Sequence, residues 1–219
     1  QYYLTFFSLW HKTHEKSLIF HHNFARKMGY LKYLKEAWAK PRANLGEAHR
    51  QRLIEWRQEN SITRVEYPTR IDRARALGYK AKQGFIVARV RVIRGGKKNP
   101  QIHKGRDGGD LSTKISQSKN YQWIAEERSQ KRYPNMEVLN SYWVGQDEKY
   151  YWHEVILVDV YHPQIMSDKH VSWIVSPKHT RRVMRGLTGA GKKSRGLRSK
   201  GIGSENARPS LRANGRKLR

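Results

Sequence analysis

The chain has 219 residues, with 45 Lys and Arg against 18 Asp and Glu, so its formal net charge is +27. A compact domain with this charge repels itself unless a polyanion neutralises it, which favours nucleic acid as partner over an anionic membrane. The absence of Cys excludes disulfides, thiolate metal sites and cysteine nucleophiles, and fits a reducing, cytoplasmic compartment. No run of 18 apolar residues occurs, so no membrane span is expected.

Residues 1–27 differ in composition from the rest, with seven aromatic residues and four His. We interpret them as an atypical N-terminal extension and hypothesise that Met28 is the biological start. The spacing of His11, His14, His21 and His22 is compatible with zinc, but neither Cys nor Asp accompanies them. An incidental His-rich stretch explains them better, and we predict neither a metal site nor a cofactor.

The part from residue 28 to residue 94 alternates helical and strand patterns. Apolar spacing and proline positions predict, in chain order, a helix from Gly29 that Pro41 stops, a helix at 43–59, a strand at 62–66, a short helix through Leu77 and a strand at 84–94. Ile86, Ala88, Val90 and Val92 share one face of the last strand, whereas the other face changes to Arg89 and Arg91. We expect that strand to leave the core and meet an anion.

Residues 95–119 lack an apolar period and indicate a long basic loop. A helix is then predicted at 119–132, with Ser118 as cap, one face formed by Tyr121, Ile124, Ala125 and Arg128, and a surface Glu127–Lys131 pair. The best hairpin joins strands at 136–144 and 150–160. Its aromatic residues could stack on bases, but segment 120–177 has eight acidic and five basic residues, so we interpret Tyr142, Trp143, Tyr151 and Trp152 as core.

Residues 178–219 contain fourteen Lys and Arg and one Glu, and no hydrophobic period. We predict an extended tail that contacts phosphate, with a merely flexible tail as the alternative. The stretch Gly186–Lys193 resembles a P-loop, but Lys193 stands where Ser or Thr would bind magnesium, and no strand precedes it. The sequence therefore argues against nucleotide hydrolysis.

Two adjacent pairs of titratable residues are candidates for acid–base catalysis by residue type. Glu126 and Glu127 diverge by about 100° on a helix, and His153 and Glu154 point to opposite faces of a strand. Neither pair converges on one substrate. We therefore predict that the protein is not an enzyme and has no small-molecule substrate.

Four stretches, in order, resemble the archaeal and eukaryotic large-subunit ribosomal protein family fifteen-e (L15e): Arg70–Arg75, Leu77–Gly84, Val138–Gly145 and Arg185–Leu197. The likeness runs from about Met28 to Lys217, and the ending Arg208–Gly215 is archaeal in style. The resemblance implies a structural rRNA-binding protein without catalytic residues, placed among neighbouring ribosomal proteins on the ribosome. It also implies an α+β fold in which helices pack on a small antiparallel sheet.

These observations predict three regions: the extension 1–27, an rRNA-binding core 28–177 with its loop 95–119, and an rRNA-penetrating tail 178–219. Basic positions in the matching stretches are expected to contact RNA: Arg70, Arg73, Lys80, Lys82, Arg185, Lys192, Lys193 and Arg195. Their basic neighbours complete the candidate set: Arg75, Arg89, Arg91, Arg94, Lys97, Lys98, Lys104, Arg106, Arg181, Arg182, Arg198, Lys200, Arg208 and Arg212. A DNA-compacting chromatin-type protein and an RNA-modifying enzyme are the alternatives.

Overall fold

The computed structural model of the chain describes residues 29–98, 104, 114–115, 117–199, 201–204 and 207. The hypothesis for residues 1–27 and most of the predicted loop 95–119 lie outside the described residues. The chain divides into two compact units. The first comprises the chain up to Gln51 together with Arg70–Asp72, and the second comprises Arg52–Thr69 and the chain from Arg73 onward.

The described helices and strands follow the predicted order closely. The helices are α1 at 29–37, α2 Pro41–Asn44, α3 Gly46–Gln58, α4 Ile71–Ala76, α5 Tyr121–Arg132, α6 Pro163–Met166 and α7 Gly189–Ser194, with 3₁₀ turns at Ser172–Val175 and Pro177–His179. The strands are β1 Ile62–Val65, β2 Phe85–Ile93, β3 Lys97–Lys98, β4 Lys114–Ile115, β5 Met136–Gln146 and β6 Tyr150–Asp159. Strands β3 and β4 pair with each other in the region predicted as a loop.

The first unit is built around Trp38, which is buried directly after α1. The ring of His49 meets the indole edge-on at 6.0 Å, and the guanidinium of Arg70 lies 5.1 Å from the ring centroid. Tyr30 and Tyr33, earlier in α1, are exposed. Pro41 follows the end of α1 and occupies the first turn of α2, where a missing N–H breaks no helical hydrogen bond.

The second unit contains a four-stranded antiparallel sheet in the order β1-β2-β6-β5. Helices pack against it, so the predicted α+β fold is confirmed. The predicted hairpin is present as β5 and β6, and the register shifts twice along β5, after Val138 and after Trp143. Each shift bends the strand as a β-bulge does.

The two faces of the sheet carry separate hydrophobic cores, because successive side chains of a strand point to opposite faces. The first core includes Trp56, Ala74, Trp152, Ile156 and Ile165. The second core, on the opposite face, includes the predicted Ala88, Val90 and Val92 stripe of β2 together with Trp123, Val155, Leu157, Val183 and Ala190. Tyr142 and Trp152 are buried in the first core, as predicted.

Helix α5 covers the second core with most of the predicted face and with polar residues beside it. Its N-cap is Asn120, whose side chain accepts from the N–H of Trp123 at 2.7 Å, so the cap is not Ser118. Tyr121, Ile124 and Ala125 lie in or against the second core, whereas Arg128 is exposed. Glu127 pairs with Lys119 at 2.6 Å instead of Lys131. The buried residues that the sequence did not predict are Trp123, Glu126, Ser129 and Gln130, and three of these four are polar, which weakens the hydrophobic period.

Residues 178–199 differ from the extended tail that the sequence predicted from residue 178 onward. Val183 and Ala190 are buried in the second core, and the indole N–H of Trp123 donates to the carbonyl of Val183 at 2.8 Å. Gly186 and Gly191 touch closely, since a Cβ built on Gly191 would lie 2.6 Å from the Cα of Gly186. Glycine contacts therefore supply packing here that a hydrophobic pattern cannot reveal.

Candidate nucleic-acid interface

The basic C-terminal segment, defined here as residues 178–199, carries eight Lys and Arg and no Asp or Glu. Its regular structure consists of two short elements, the 3₁₀ turn Pro177–His179 at its start and helix α7. Its buried residues face the second core, and its exposed cations face away from it. The exposed predicted residues are Arg181, Arg185, Lys192, Lys193 and Arg198.

A buried polar network fixes this segment to the fold. The hydroxyl groups of Ser141 and Thr188 each donate to the carboxyl group of Glu126 at 2.5 Å. Thr188 also caps α7, because its Oγ1 accepts from the N–H of Gly191 at 3.2 Å. Burial raises the pKa of Glu126 above the ordinary value, and the two hydroxyl donors and the charge of Arg182 oppose that shift. Glu126 is therefore a buried anchor for this segment.

Arg182 is half-buried, and its guanidinium is bound within the protein. Its Nη1 donates to the carbonyls of Val138 and Leu139 at 3.0 and 2.9 Å. Burial lowers the pKa of Arg182, while Glu126 and Glu137 favour its charged form. The preceding residue, Arg181, adopts a positive φ of 49°, and its N–H donates to Oε1 of Glu137 at 2.7 Å. Arg182 thus fixes the backbone from which the exposed Arg181 side chain projects.

Arg185 and Arg195 brace the turns of the same segment. Nη2 of Arg185 donates to the carbonyls of Lys178 and Thr180 at 2.5 and 3.0 Å. Nη1 of Arg195 donates to the carbonyls of Arg185 and Gly186 at 3.2 and 3.1 Å. These bonds satisfy backbone carbonyls that no strand or long helix covers. Each guanidinium has five N–H donors, so Arg185, which is exposed, retains others for an anion.

Arg89 and Arg91 of β2, and Arg94 directly after it, form bonds within the protein, whereas the sequence predicted that this strand leaves the core to meet an anion. Arg89 pairs with Glu59 at 2.6 Å, lies 3.8 Å from Glu154 and covers the ring of Trp56 at 4.5 Å. Nη1 of Arg91 donates to the carbonyl of Arg57 at 2.5 Å, and Arg94 donates to that of Asp147 at 2.6 Å. Strand β2 is the second strand of the sheet, flanked by β1 and β6, so its basic residues lie beside partners instead of leaving the core.

Arg89 neighbours a second buried carboxylic acid, Glu154 of β6. Glu154 accepts from the hydroxyl of Tyr142 at 2.6 Å and from the N–H of Thr69 at 3.0 Å, and the hydroxyl of Thr69 also donates to it. Burial raises the pKa of Glu154, while these donors and Arg89 oppose the shift. Thr69, two residues before α4, is therefore bonded to the sheet.

Lys80 and Lys82 share one acceptor. Their ammonium groups lie 2.6 and 2.7 Å from Oδ2 of Asp168, and the two lysines hold the pKa of that carboxyl group well below its ordinary value. Tyr79 packs edge-on against Phe85 at 5.9 Å beside the first core, which favours packing over base stacking at this position. In the first unit, Arg70 lies 3.7 Å from Asp72.

Of the remaining predicted RNA contacts, some are exposed and others lie wholly or with their side chains outside the described residues. Arg73 and Arg75 are exposed on α4 and form no ion pair within the described part of the chain. Lys104 is exposed. For Lys97 and Lys98 the backbone is described, as strand β3. Four predictions lie outside the described residues: Arg106, Lys200, Arg208 and Arg212.

Among the residues that the structure describes, no catalytic or metal centre is apparent. Across the described ranges, no three His, Cys, Asp or Glu side chains are placed to hold a metal ion. His153 and Glu154 are buried on opposite faces of β6, as predicted, and burial alone lowers the pKa of His153 to about 4. In the described part of the chain, no helix combines the length and apolar character that a bilayer crossing requires.

Comparison with protein families identifies the scaffold that carries these cations. A family model described as Ribosomal L15, covering the L15e proteins, matches residues 29–214. The chain belongs to the L15e family of ribosomal proteins. The match covers all the residues that the structure describes, including the whole basic C-terminal segment, and it confirms the resemblance found in the sequence. L15e proteins are structural components of the large ribosomal subunit and act in translation, so the chain is not an enzyme.

Proposed function

We propose that this L15e protein is a structural constituent of the large ribosomal subunit that binds and stabilises folded large-subunit rRNA. The single observation that carries the proposal is the acid-free basic C-terminal segment, folded on a buried scaffold with its cations exposed. Its place of action is the ribosome, in the cytoplasm, where rRNA and neighbouring ribosomal proteins are its partners.

The fold performs this function by holding cations at fixed positions. Lys192, Lys193 and Arg198 project from a segment whose backbone is tied to α5 and β5. Fixed cations neutralise phosphates where RNA helices approach one another, and their spacing matches one RNA shape better than others. Arg73 and Arg75 on α4 and Lys104 extend the proposed contact set, as do Lys97, Lys98, Arg106, Lys200, Arg208 and Arg212.

The internally bonded arginines take a second role in this proposal. Arg91, Arg182 and Arg195 bond to backbone carbonyls, Arg89 pairs with the carboxylate of Glu59, and the contribution of all four to RNA binding is proposed to be indirect. The loop 95–119 and the chain after Ser199 are proposed to add further RNA contacts. Segment 178–199 is held in place by anchors internal to the protein.

A competition experiment tests this function against the DNA-compacting alternative. Full-length protein is bound to labelled large-subunit rRNA at fixed salt and challenged with unlabelled folded rRNA or duplex DNA of equal phosphate content. We expect rRNA to compete at least about tenfold better, because RNA shape adds to the phosphate attraction that both polymers share. Equal competition would favour a non-specific DNA-compacting protein.

Assembly into the subunit is measured separately. Tagged protein expressed in cells is expected to co-sediment with large ribosomal subunits through a sucrose gradient at physiological salt. A protein found only in the free fraction contradicts the proposal. The double variant Lys192→Gln with Lys193→Gln, which keeps the buried residues of the segment, provides the comparison and is expected to leave the subunit fraction at lower salt than wild type.

A further inference from the structure

Trp173 is an exposed tryptophan in the 3₁₀ turn Ser172–Val175, and its environment has no role in the fold described so far. The neighbouring Val171 and Ile174 are buried in the first core, which forces the indole between them outward. The Trp173 residue retains 41% of its exposure. A large aromatic ring left in water gives up the free energy that its burial would contribute, so its exposure calls for an explanation.

The orientation of the ring is fixed by three contacts. Its Nε1–H donates to the carbonyl of His170 at 3.1 Å. The guanidinium of Arg182 lies over the ring, 5.0 Å from its centroid, and is itself tied to β5 through the carbonyls of Val138 and Leu139. One face of the indole therefore has a rigid partner, and the ring cannot turn without breaking these bonds.

The ring of His179 packs against the indole nearly at a right angle, and the pKa of His179 reports the local charge. The two rings lie 4.9 Å apart at 80°. The pKa of His179 is lowered, first by burial and then by the charges of Arg182, Arg185 and Lys178. Residues 169–185 contain five Lys and Arg and no Asp or Glu. The adjacent Asp168 is already bound by Lys80 and Lys82. The ring thus stands in a positive field.

We propose that Trp173 is a stacking platform for an unpaired RNA base, with the indole held between that base and Arg182. This inference rests on the proposed function and specifies the RNA feature that the surface takes. Aromatic rings stack on any base because every base has a π face, and the surrounding cations neutralise the flanking phosphates. An apolar protein surface fits less well, because covering Trp173 would also remove those cations from water without neutralising them.

The test measures the affinity of full-length variants for large-subunit rRNA over a series of salt concentrations. Trp173→Ala removes the ring, Trp173→Phe keeps an aromatic face, and Tyr161→Ala removes an exposed aromatic residue at another place on the surface. We expect Trp173→Ala to bind about 5- to 100-fold more weakly, since one stacked base contributes that range. Trp173→Phe stays within about threefold of wild type and Tyr161→Ala within about twofold.

The salt dependence separates stacking from charge. The slope of log affinity against log salt counts released counterions, so losing the ring leaves it unchanged. The proposal is overturned if Trp173→Ala binds rRNA with wild-type affinity. It is also overturned if the slope for Trp173→Ala is smaller by about one charge, because that result reports a displaced arginine and not the loss of stacking. If the wild-type protein itself does not prefer rRNA to duplex DNA, the proposed function fails, which is a distinguishable result.

A second measurement needs no variant and therefore does not depend on variant folding. Ribosomes containing the protein are irradiated with ultraviolet light, and cross-linked peptides are identified by mass spectrometry. A nucleotide attached to the peptide that contains Trp173, at a position unpaired in the rRNA, supports stacking. A cross-link from that peptide to a neighbouring ribosomal protein, or to a base-paired nucleotide, contradicts it.

Discussion

The hydroxyl group of Thr188 donates to Oε2 of Glu126 at 2.5 Å, and both residues are fully buried. This bond joins the basic C-terminal segment to α5, and Ser141 adds β5 to the same carboxyl group. The segment with the greatest density of positive charge is thus anchored through a buried acid. Its exposed cations are held by interactions that RNA does not have to supply.

Replacing Thr188 with Val tests this anchor. The change leaves Oε2 of Glu126 without its donor and removes the cap of α7, so the free energy of unfolding is expected to fall by about 1–3 kcal/mol. Urea denaturation measures the loss, and hydrogen exchange across residues 183–195 shows where it acts. Thr180→Val, at an exposed position, is the matched control. Equal stability of the two variants contradicts the anchoring role.

The contact between Gly191 and Gly186 makes a second prediction. A Cβ at Gly191 lies 2.6 to 2.9 Å from backbone atoms of Gly186, whereas a Cβ at Gly189 meets side-chain ends alone, Nη2 of Arg198 at 3.3 Å and Oδ1 of Asn140 at 3.8 Å. Gly191→Ala is expected to lower stability by about 1–3 kcal/mol through overpacking. Gly189→Ala is expected to be neutral or to stabilise α7 by up to about 1 kcal/mol. Thermal unfolding compares the pair, and a shift in the same direction for both argues against the close approach.

Arg89 distinguishes arginines that build the fold from arginines that contact RNA. Arg89→Met removes the pair with Glu59 and the cation nearest to the buried Glu154, at an expected cost of about 3 kcal/mol. Arg64→Met, at an exposed position on the neighbouring β1, is expected to cost less than about 0.5 kcal/mol. Under conditions where both variants are folded, Arg89→Met keeps wild-type rRNA affinity within about twofold. A large loss of affinity without loss of stability would make Arg89 an RNA contact after all.

His153 makes the stability of the fold depend on pH. Burial lowers its pKa from 6.5 to about 4, so between these values the unfolded chain takes up a proton that the folded protein does not. The contribution of neutral, buried His153 to the free energy of unfolding is therefore fully present above pH 6.5. It is lost as the pH falls toward 4, by up to about 3 kcal/mol.

The variant His153→Phe isolates this effect. Because Nδ1 of His153 has no hydrogen-bond partner within the described residues, a phenyl ring replaces the imidazole without leaving a polar group unpaired. The free energy of unfolding, measured by urea titration from pH 4 to 7.5, should rise less steeply with pH in this variant than in wild type. His170→Gln, an exposed site, should keep the wild-type slope. Parallel curves for His153→Phe and wild type contradict the assignment.

The sequence predicts the sheet better than it predicts what covers the sheet. The period-two pattern of β2 predicts which side chains face the second core, and the predicted β5–β6 hairpin is present. Of the four hairpin aromatic residues interpreted as core, Tyr142 and Trp152 lie in the first core. The sequence did not predict the polar part of the buried face of α5, because Glu126, Ser129 and Gln130 are polar residues in buried positions. Trp123 was the available signal, since the residues three and seven positions after it are buried on the same side.

The interface was harder to predict for a different physical reason. Net charge separates basic from acidic segments, but it does not distinguish Lys192, which is exposed, from Arg182, which is bound to two backbone carbonyls. Segment 178–199 has few apolar side chains and packs through Gly186 and Gly191 and through buried hydrogen bonds. Such packing leaves no hydrophobic period, so the segment was assigned to an extended tail.

The central claim is that exposed cations of the basic C-terminal segment neutralise rRNA phosphates. The most direct test is the salt dependence of rRNA affinity for wild type, for the double variant Lys192→Gln with Lys193→Gln, and for the control Lys131→Gln with Arg132→Gln at the exposed end of α5. We predict that the first double variant reduces the slope of log affinity against log salt by roughly 1.5, while the control keeps the wild-type slope. An unchanged slope in the first double variant, or an equal reduction in both, would contradict the account.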